Sequence, residues 1–156
     1  MLKLYYKIMY IYLVLILWLL KLKCPMLFPR SLPEELAVKS ALPALRANIA
    51  KELMIKYGMT QNKISELLGV TQTAVSYYVH NKRGSGAHDS ISSEEIRKTI
   101  SEIAKILAEK EIDRRQVASK FTEALSYIRK NKLLCTVHKQ YEPNIDLETC
   151  DICNNT

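Results

Sequence analysis

The sequence predicts an all-α protein, and three observations lead to that prediction. Apolar residues recur every three or four positions in several segments, which is the period of a helix with one buried face. Ser, Thr, Asp or Gly stands at the borders of these segments, as at helix ends. The chain of 156 residues contains only four Gly and five Pro, too few for a collagen-like or low-complexity protein. This length suits one domain with short appendages.

Residues 1–23 differ from the rest of the chain. Residues 8–20 contain no charged side chain, and a bilayer span needs about 20 apolar residues. Three interpretations are open: a membrane anchor over residues 4–20, a signal peptide or docking helix, and a mis-assigned start with translation beginning at Leu19 or Leu20. Four Lys of this segment contribute to the net charge of +7. Without them the rest of the chain, expected in the cytoplasm, is only mildly basic.

Residues 24–41 form an N-terminal extension, and the strongest signal follows over residues 42–84. Pro43 favours a helix that starts at Leu42, because a missing N–H costs nothing in a first turn. Gly58 is expected to end this helix. The apolar positions expected to face the core are Leu45, Ile49, Leu53 and Met54.

Two short helices are expected next. Thr60 can cap the first, over residues 61–68, and Thr71 can cap the second, over residues 72–80. Gly69 permits the positive φ that a sharp turn between them requires. The residues expected to face inward are Ile64, Leu67, Leu68, Val75, Tyr78 and Val79. A helix, a glycine turn and a capped helix at this spacing predict a helix-turn-helix motif.

The string from Gln61 to Tyr78, QNKISELLGVTQTAVSYY, resembles the helix-turn-helix of XRE-type, Cro-like regulators related to phage repressors. From LPALRANIAKEL to VHNKRG the chain is similar to an archaeal group of predicted transcriptional regulators, which tends to carry cysteines before the motif and near the C-terminus. Ser65 stands where that family usually has Ala. The resemblance implies a phage-repressor-like bundle that binds double-stranded DNA as a twofold homodimer.

The same resemblance implies that the second helix of the motif enters the major groove. The amide of Gln72 suits the edge of adenine, and Lys82 and Arg83 suit backbone phosphates. The DNA-binding residues expected on this basis are Gln61, Thr71, Gln72, Thr73, Ser76, Tyr77, His80, Lys82 and Arg83. A helical hairpin that merely packs in a core is the alternative interpretation of the same apolar spacing.

Residues 91–132 predict a C-terminal helical hairpin after a Gly- and Ser-containing linker. Ser92 or Ser93 starts its first helix, and Asp113 caps the second. The apolar positions of the two helices are Ile96, Ile100, Ile103, Leu107, Val117, Phe121, Ala124, Leu125 and Ile128. The hairpin is expected to close the core of its own chain, to supply the dimer interface, or to do both.

The remaining residues, 133–156, form a small Cys-rich tail, in which residues 133–139 are expected to continue the preceding helix. Cys135-x2-His138 and Cys150-x2-Cys153 have the spacing at which two ligands grip one metal ion. The fourth ligand beside the three tail cysteines is either His138, giving a zinc site, or Cys24, giving a four-thiolate site for Zn²⁺ or an iron–sulfur cluster. Inert thiols and disulfides are the alternatives, and a reducing cytosol disfavours disulfides.

These patterns together predict a sequence-specific DNA-binding transcription regulator that responds to metal or redox state through its cysteines. The competing interpretations are a membrane-anchored regulator, a helical protein that uses the motif only for protein contacts, and a thiol redox enzyme that uses Cys150 and Cys153. The sequence contains no Gly-rich phosphate loop, no HExxH and no Ser nucleophile elbow. Catalysis is therefore not expected.

Overall fold

The computed structural model describes residues 32–80 and 92–153, and every regular element in these two ranges is helical. The elements are α1 (Pro33–Leu36), a π-helical turn (Ala37–Ala41), α2 (Leu42–Tyr57), α3 (Gln61–Leu68), α4 (Gln72–Val79), α5 (Glu94–Leu107), α6 (Arg114–Lys130) and α7 (Cys135–Tyr141). The all-α prediction is confirmed. The interpretations of the apolar segment 1–23 and the predictions for Cys24, Lys82 and Arg83 lie outside the described residues.

Within the two described ranges, no helix combines the length and the apolar character needed to cross a membrane. The anchor interpretation concerned residues 4–20 alone, and these residues are not among those described.

Helix α2 begins at Leu42 as expected, but the chain is already helical when it reaches that residue. The N–H of Leu42 donates to the carbonyl of Ala37, five residues earlier, which is the hydrogen bond of a π turn. Pro33 and Pro43 each lie in the first turn of an α-helix. The expected start at Leu42, with Pro43 in the first turn, is therefore confirmed. The π turn joins α1 to α2, so helical turns continue from Pro33 to Tyr57.

The expected helix ends around the two short helices and the hairpin are confirmed. Four capping side chains each accept a hydrogen bond from a backbone N–H two or three residues further on. These residues are Thr60, Thr71, Ser93 and Asp113. Gly58 and Gly69 close α2 and α3 with φ values of 63° and 62°. Glycine adopts this left-handed conformation without the steric penalty that a Cβ atom introduces.

The core lies where α2 packs against α4 and α5. The expected core positions of α2 to α5 are buried, except that Met54, Leu67 and Val79 are only partly buried. The largest fully buried side chains are Leu36, Leu45, Ile49, Leu53, Ile64, Val75, Ile96, Ile103 and Ile128. Burial of each such side chain stabilises the fold by about 1.5–3 kcal/mol relative to exposure. Residues from both halves of the chain therefore share one core.

The two helices of the hairpin differ in how they use their apolar positions. All four expected positions of α5 are buried within the chain. On α6, Ala124 and Ile128 are buried, whereas Val117, Phe121 and Leu125 are only partly covered. The hairpin thus closes the core through α5, while α6 retains an incompletely covered apolar stripe.

Helix α6 ends at Lys130 and a turn over residues 131–134 separates it from α7, so the expectation that residues 133–139 continue the helix is wrong. Lys132 has a φ of 57°. The N–H groups of Lys132 and Leu133 donate to the carbonyls of Arg129 and Ile128, each at 3.0 Å, which is the hydrogen-bond pattern of a Schellman helix end. Helix α7 then contacts α1, and Arg129 pairs with Glu34 of α1 at 3.0 Å.

Candidate functional sites

The first candidate site is built on the corner between α3 and α4. Ile64 of α3 and Val75 of α4 are fully buried and hold the two short helices against the core. Gly69 forms the turn between them. The hydroxyl of Ser65 donates to the carbonyl of Asn62 at 2.7 Å, within its own helix. This corner leaves the N-terminal end of α4 at the surface, where N–H groups and the helix dipole favour negative charge.

The side chains expected to contact DNA lie on the solvent side of α4. Five of them are exposed and Ser76 is half-buried, whereas Val75 and Tyr78 lie in the core. The exposed residues are Thr71, Gln72, Thr73, Tyr77 and His80. The ring Nδ1 of His80 lies 2.7 Å from the carbonyl of Ser76 in the preceding turn. His80 therefore stays close to its own helix.

A hydrogen bond joins the first residues of α3 and α4. Nε2 of Gln72 donates to Oε1 of Gln61 at 2.6 Å. The bond uses one of the two N–H groups of the Gln72 amide and one lone pair of the Gln61 oxygen. The Gln72 oxygen and second N–H, and both N–H groups of Gln61, stay available for further hydrogen bonds. The hydrogen bond thus orients both amides, and their remaining N–H groups and the Gln72 oxygen can bind a polar partner.

Sequence reasoning placed both glutamines in the site but missed the bond between them. A signal was present, because the dipeptide Thr-Gln occurs at residues 60–61 and again at 71–72. Each Thr caps a helix and each Gln is the first residue of that helix. Two consecutive helices that start identically on either side of a tight turn bring equivalent side chains together.

The second candidate site is formed by the tail and the junction of α6 with α7. Cys135, Cys150 and Cys153 are half-buried free thiols. Burial raises the pKa of Cys135, and the neighbouring Cys150 raises it further. Burial also raises the pKa of Cys153, followed by the influence of Cys135 and Cys150. Each of the two pKa shifts thus has burial as its main cause and neighbouring thiols as a smaller one.

His138 lies at the centre of this second site. The residue is 7% exposed, and its Nε2 atom is buried with no hydrogen-bond partner among the described residues. With Cys135 and Cys153 it lines a cavity of about 10 Å³, whose other walls come from α1 and the end of α6. Such a cavity has about the size of one water molecule or one ion.

The expected metal ligands are brought together only in part. In residues 32–80 and 92–153, no three His, Cys, Asp or Glu side chains converge closely enough to hold a metal ion as they stand. Three of the expected ligands, Cys135, His138 and Cys153, line the same cavity, and Cys150 is not among its lining residues. Sequence reasoning missed Lys132, Pro33 and Leu36, which also line this cavity. No local signal could have found the two α1 residues, which lie about a hundred positions from the cysteines.

Comparisons with models of protein families, with curated proteins and with solved structures gave no match for this chain. The interpretation of both sites therefore depends on their own geometry.

Proposed function

We propose that this chain is a sequence-specific transcription regulator with a phage-repressor-like helix-turn-helix, which binds double-stranded DNA with α4 in the major groove. The hydrogen bond between Gln61 and Gln72 carries the proposal. It holds a carboxamide in one orientation at the exposed start of a Thr-capped helix. An amide fixed at that point has little use in a helix pair that serves only to pack.

The free edge of the Gln72 amide matches adenine. In the major groove adenine offers the acceptor N7 and the donor N6–H. The second N–H of Gln72 can donate to N7 while its oxygen accepts from N6–H, so both bonds form alongside the bond to Gln61. The N–H groups of Gln61 then face the adjacent backbone, where phosphate oxygens accept hydrogen bonds. One side chain selects a base and the other sets the depth of insertion.

Affinity is expected to come mainly from phosphate contacts. The exposed N-terminus of α4 supplies N–H groups and a positive helix dipole. Lys82 and Arg83 follow the helix in sequence and lie outside the described residues. Neutralising phosphates with such groups releases counterions, so binding weakens steeply as salt rises. The overall charge of +7 is not needed for this argument.

The regulator is proposed to act as a homodimer, because paired half-sites require two copies of the reading helix. The support is the incompletely covered stripe on α6, formed by Val117, Phe121 and Leu125. Sedimentation equilibrium of the full chain, compared with that of Phe121→Glu, tests this part. A wild-type monomer at micromolar concentration would contradict it.

Selection from a pool of random duplexes, followed by binding titrations with the enriched duplex, tests DNA recognition. The full chain is expected to enrich one sequence family. Gln72→Ala should relax selection at one adenine position and cost about 1–3 kcal/mol of binding free energy. The matched control is Gln140→Ala, an exposed glutamine of α7, which should leave the selected sequence unchanged. Equal behaviour of the two variants contradicts the assignment.

A helical interaction protein is the second candidate, and one observation favours it. Ile55 and Val38 are 83% and 59% exposed on the long N-terminal helix, and exposed apolar side chains of this size can serve protein contacts. If no duplex is enriched and binding to any DNA is absent at low salt, this candidate replaces the regulator. Mass spectrometry of the native N-terminus separately decides among the three interpretations of residues 1–23 and shows whether Cys24 is present.

A further inference from the structure

We propose that Cys135, His138, Cys150 and Cys153 bind one Zn²⁺ ion, with His138 and not Cys24 as the fourth ligand. Three thiolates and one imidazole make a closed tetrahedral site of the structural kind. The site goes beyond DNA recognition, and its occupancy does not depend on whether the chain binds DNA.

The first argument is the buried nitrogen of His138. A polar atom removed from water without a hydrogen bond destabilises the fold, and Nε2 of His138 is such an atom. The atom belongs to a side chain that lines a cavity together with two of the thiols. A metal ion in that cavity would accept the lone pair of Nε2. The unpaired nitrogen that destabilises the metal-free chain would then form a bond to the metal ion.

The second argument is the spacing of the ligands along the chain. Cys135 and His138 lie one turn apart in α7, so their side chains share one face of the helix. The tail returns to this face through a turn at Asp146, whose carboxylate accepts hydrogen bonds from the N–H of Glu148 and the hydroxyl of Thr149. Beyond this turn, Cys153 reaches the cavity that Cys135 and His138 also line. Cys150 and Cys153 have the spacing of a second chelating pair.

The third argument is charge. Zn²⁺ with three thiolates and a neutral imidazole carries one net negative charge, whereas four thiolates leave two. Arg129 and Lys132 both line the cavity, and Arg129 is already paired with Glu34 at 3.0 Å. These two cations offset the negative charge of a thiolate site, and the charge to be offset is smaller when His138 is the fourth ligand.

Loading requires movement of the tail and loss of three protons. The four side chains are not at bonding distances as they stand, and Cys150 and Cys153 lie outside the regular helices. The tail can therefore close on α7 while the helices stay in place. Each thiol releases its proton to solvent as its sulfur binds Zn²⁺, and Nε2 of His138 binds the ion through its lone pair. Closure would fasten the tail to α7 and α1.

Metal titration of the full chain tests the site. Protein reduced, stripped with chelator and titrated with Zn²⁺ alone is expected to bind one ion per chain. Substitution with Co²⁺ should give the absorption of a tetrahedral site with thiolate ligands. His138→Ala and Cys150→Ser should each weaken Zn²⁺ binding at least about tenfold. Cys24→Ser and the matched control Lys139→Ala, an exposed neighbour of His138 in α7, should bind as the wild type does.

Several results would overturn the assignment. These are absence of Zn²⁺ binding in the wild type, loss of binding in Cys24→Ser with retention in His138→Ala, and purification with iron and sulfide bound. Far-UV circular dichroism checks that the variants are folded. If His138→Ala fails to fold, Cys150→Ser decides whether the tail binds metal and Cys24→Ser decides the fourth ligand. A zinc-loaded chain that enriches no duplex refutes the proposed function and leaves the metal result standing.

Discussion

The bond between Gln61 and Gln72 predicts a measurable coupling in DNA binding. In the free protein, Nε2 of Gln72 donates to Oε1 of Gln61 at 2.6 Å, so the Gln72 side chain is ordered before it meets a base. Immobilising a flexible side chain on binding costs about 0.5–1.5 kcal/mol. Gln61→Ala removes this ordering and should weaken DNA binding by about 0.5–1.5 kcal/mol, in addition to the cost of losing the phosphate contact proposed for Gln61.

A double-mutant cycle isolates the ordering effect. Gln72→Ala alone should cost about 1–3 kcal/mol through the lost adenine pair. The double variant should lose less than the sum of the single variants, by about 0.5–1.5 kcal/mol, which is roughly a two- to twelvefold difference in Kd. Anisotropy titrations with the selected duplex at fixed salt measure the four constants.

Additivity of the two substitutions within about 0.3 kcal/mol would refute this reasoning, since independent sites add to that precision. A cycle between Gln72 and the distant Gln140, an exposed residue of α7, serves as the control and should be additive. Urea unfolding of the same four proteins checks that changes in binding do not reflect loss of fold.

Three further predictions concern the scaffold. Gly69→Ala and Gly58→Ala should each destabilise the fold by about 1–2 kcal/mol in urea unfolding, because Ala is strained in the left-handed backbone conformation. The added Cβ meets no atom within 4 Å, so no clash adds to this cost. An unchanged stability would contradict this prediction. Ile103→Ala should cost about 2–5 kcal/mol, since Ile103 is fully buried, and a smaller loss would show that α5 packs loosely. A hydrogen bond from Lys120 lowers the pKa of Glu102. The stabilisation by this pair is therefore present above the carboxyl's unfolded pKa and is lost as pH falls through its folded pKa. Glu102→Gln should reduce the loss of thermal stability on acidification, and an acid profile identical to that of the wild type would argue against the pair.

Helix borders could be predicted wherever side chains mark them. Thr60, Thr71 and Asp113 are capping residues that the sequence displays directly, and Gly58 and Gly69 mark the ends of two helices. These signals are local, because a cap depends on residues within one turn. The core positions of α2 to α5 followed from periodicity for the same reason.

Two backbone features could not be predicted from side chains. The helix end after α6 has Lys132 at the left-handed position where glycine is usual, so the sequence carries no sign of this helix end. The π turn before Leu42 depends on a backbone hydrogen bond to Ala37, and no side chain in the sequence marks it.

The sequence indicated which residues belong to each candidate site better than it indicated how those residues contact one another. The exposed face of α4 followed from helical spacing, but the amide pair depends on how the turn at Gly69 aligns two helices. For the cysteine cluster, spacing identified Cys135 and His138, while the α1 wall of the cavity involves contacts between distant parts of the chain. Such contacts leave no local trace in a single sequence.

The contiguous helical run from Pro33 to Tyr57 is about 37 Å long at 1.5 Å per residue. At one end of this run, α1 forms a wall of the cavity beside the cysteines; at the other, α2 packs against α4 and α5. The π turn within this run contains one residue more than an α-helical turn does. Returning it to α geometry rotates α1 by about 100° relative to α2 without breaking the helix. A change of one residue in register at this turn would therefore turn α1, with the cavity wall that it forms, relative to the core helix α2.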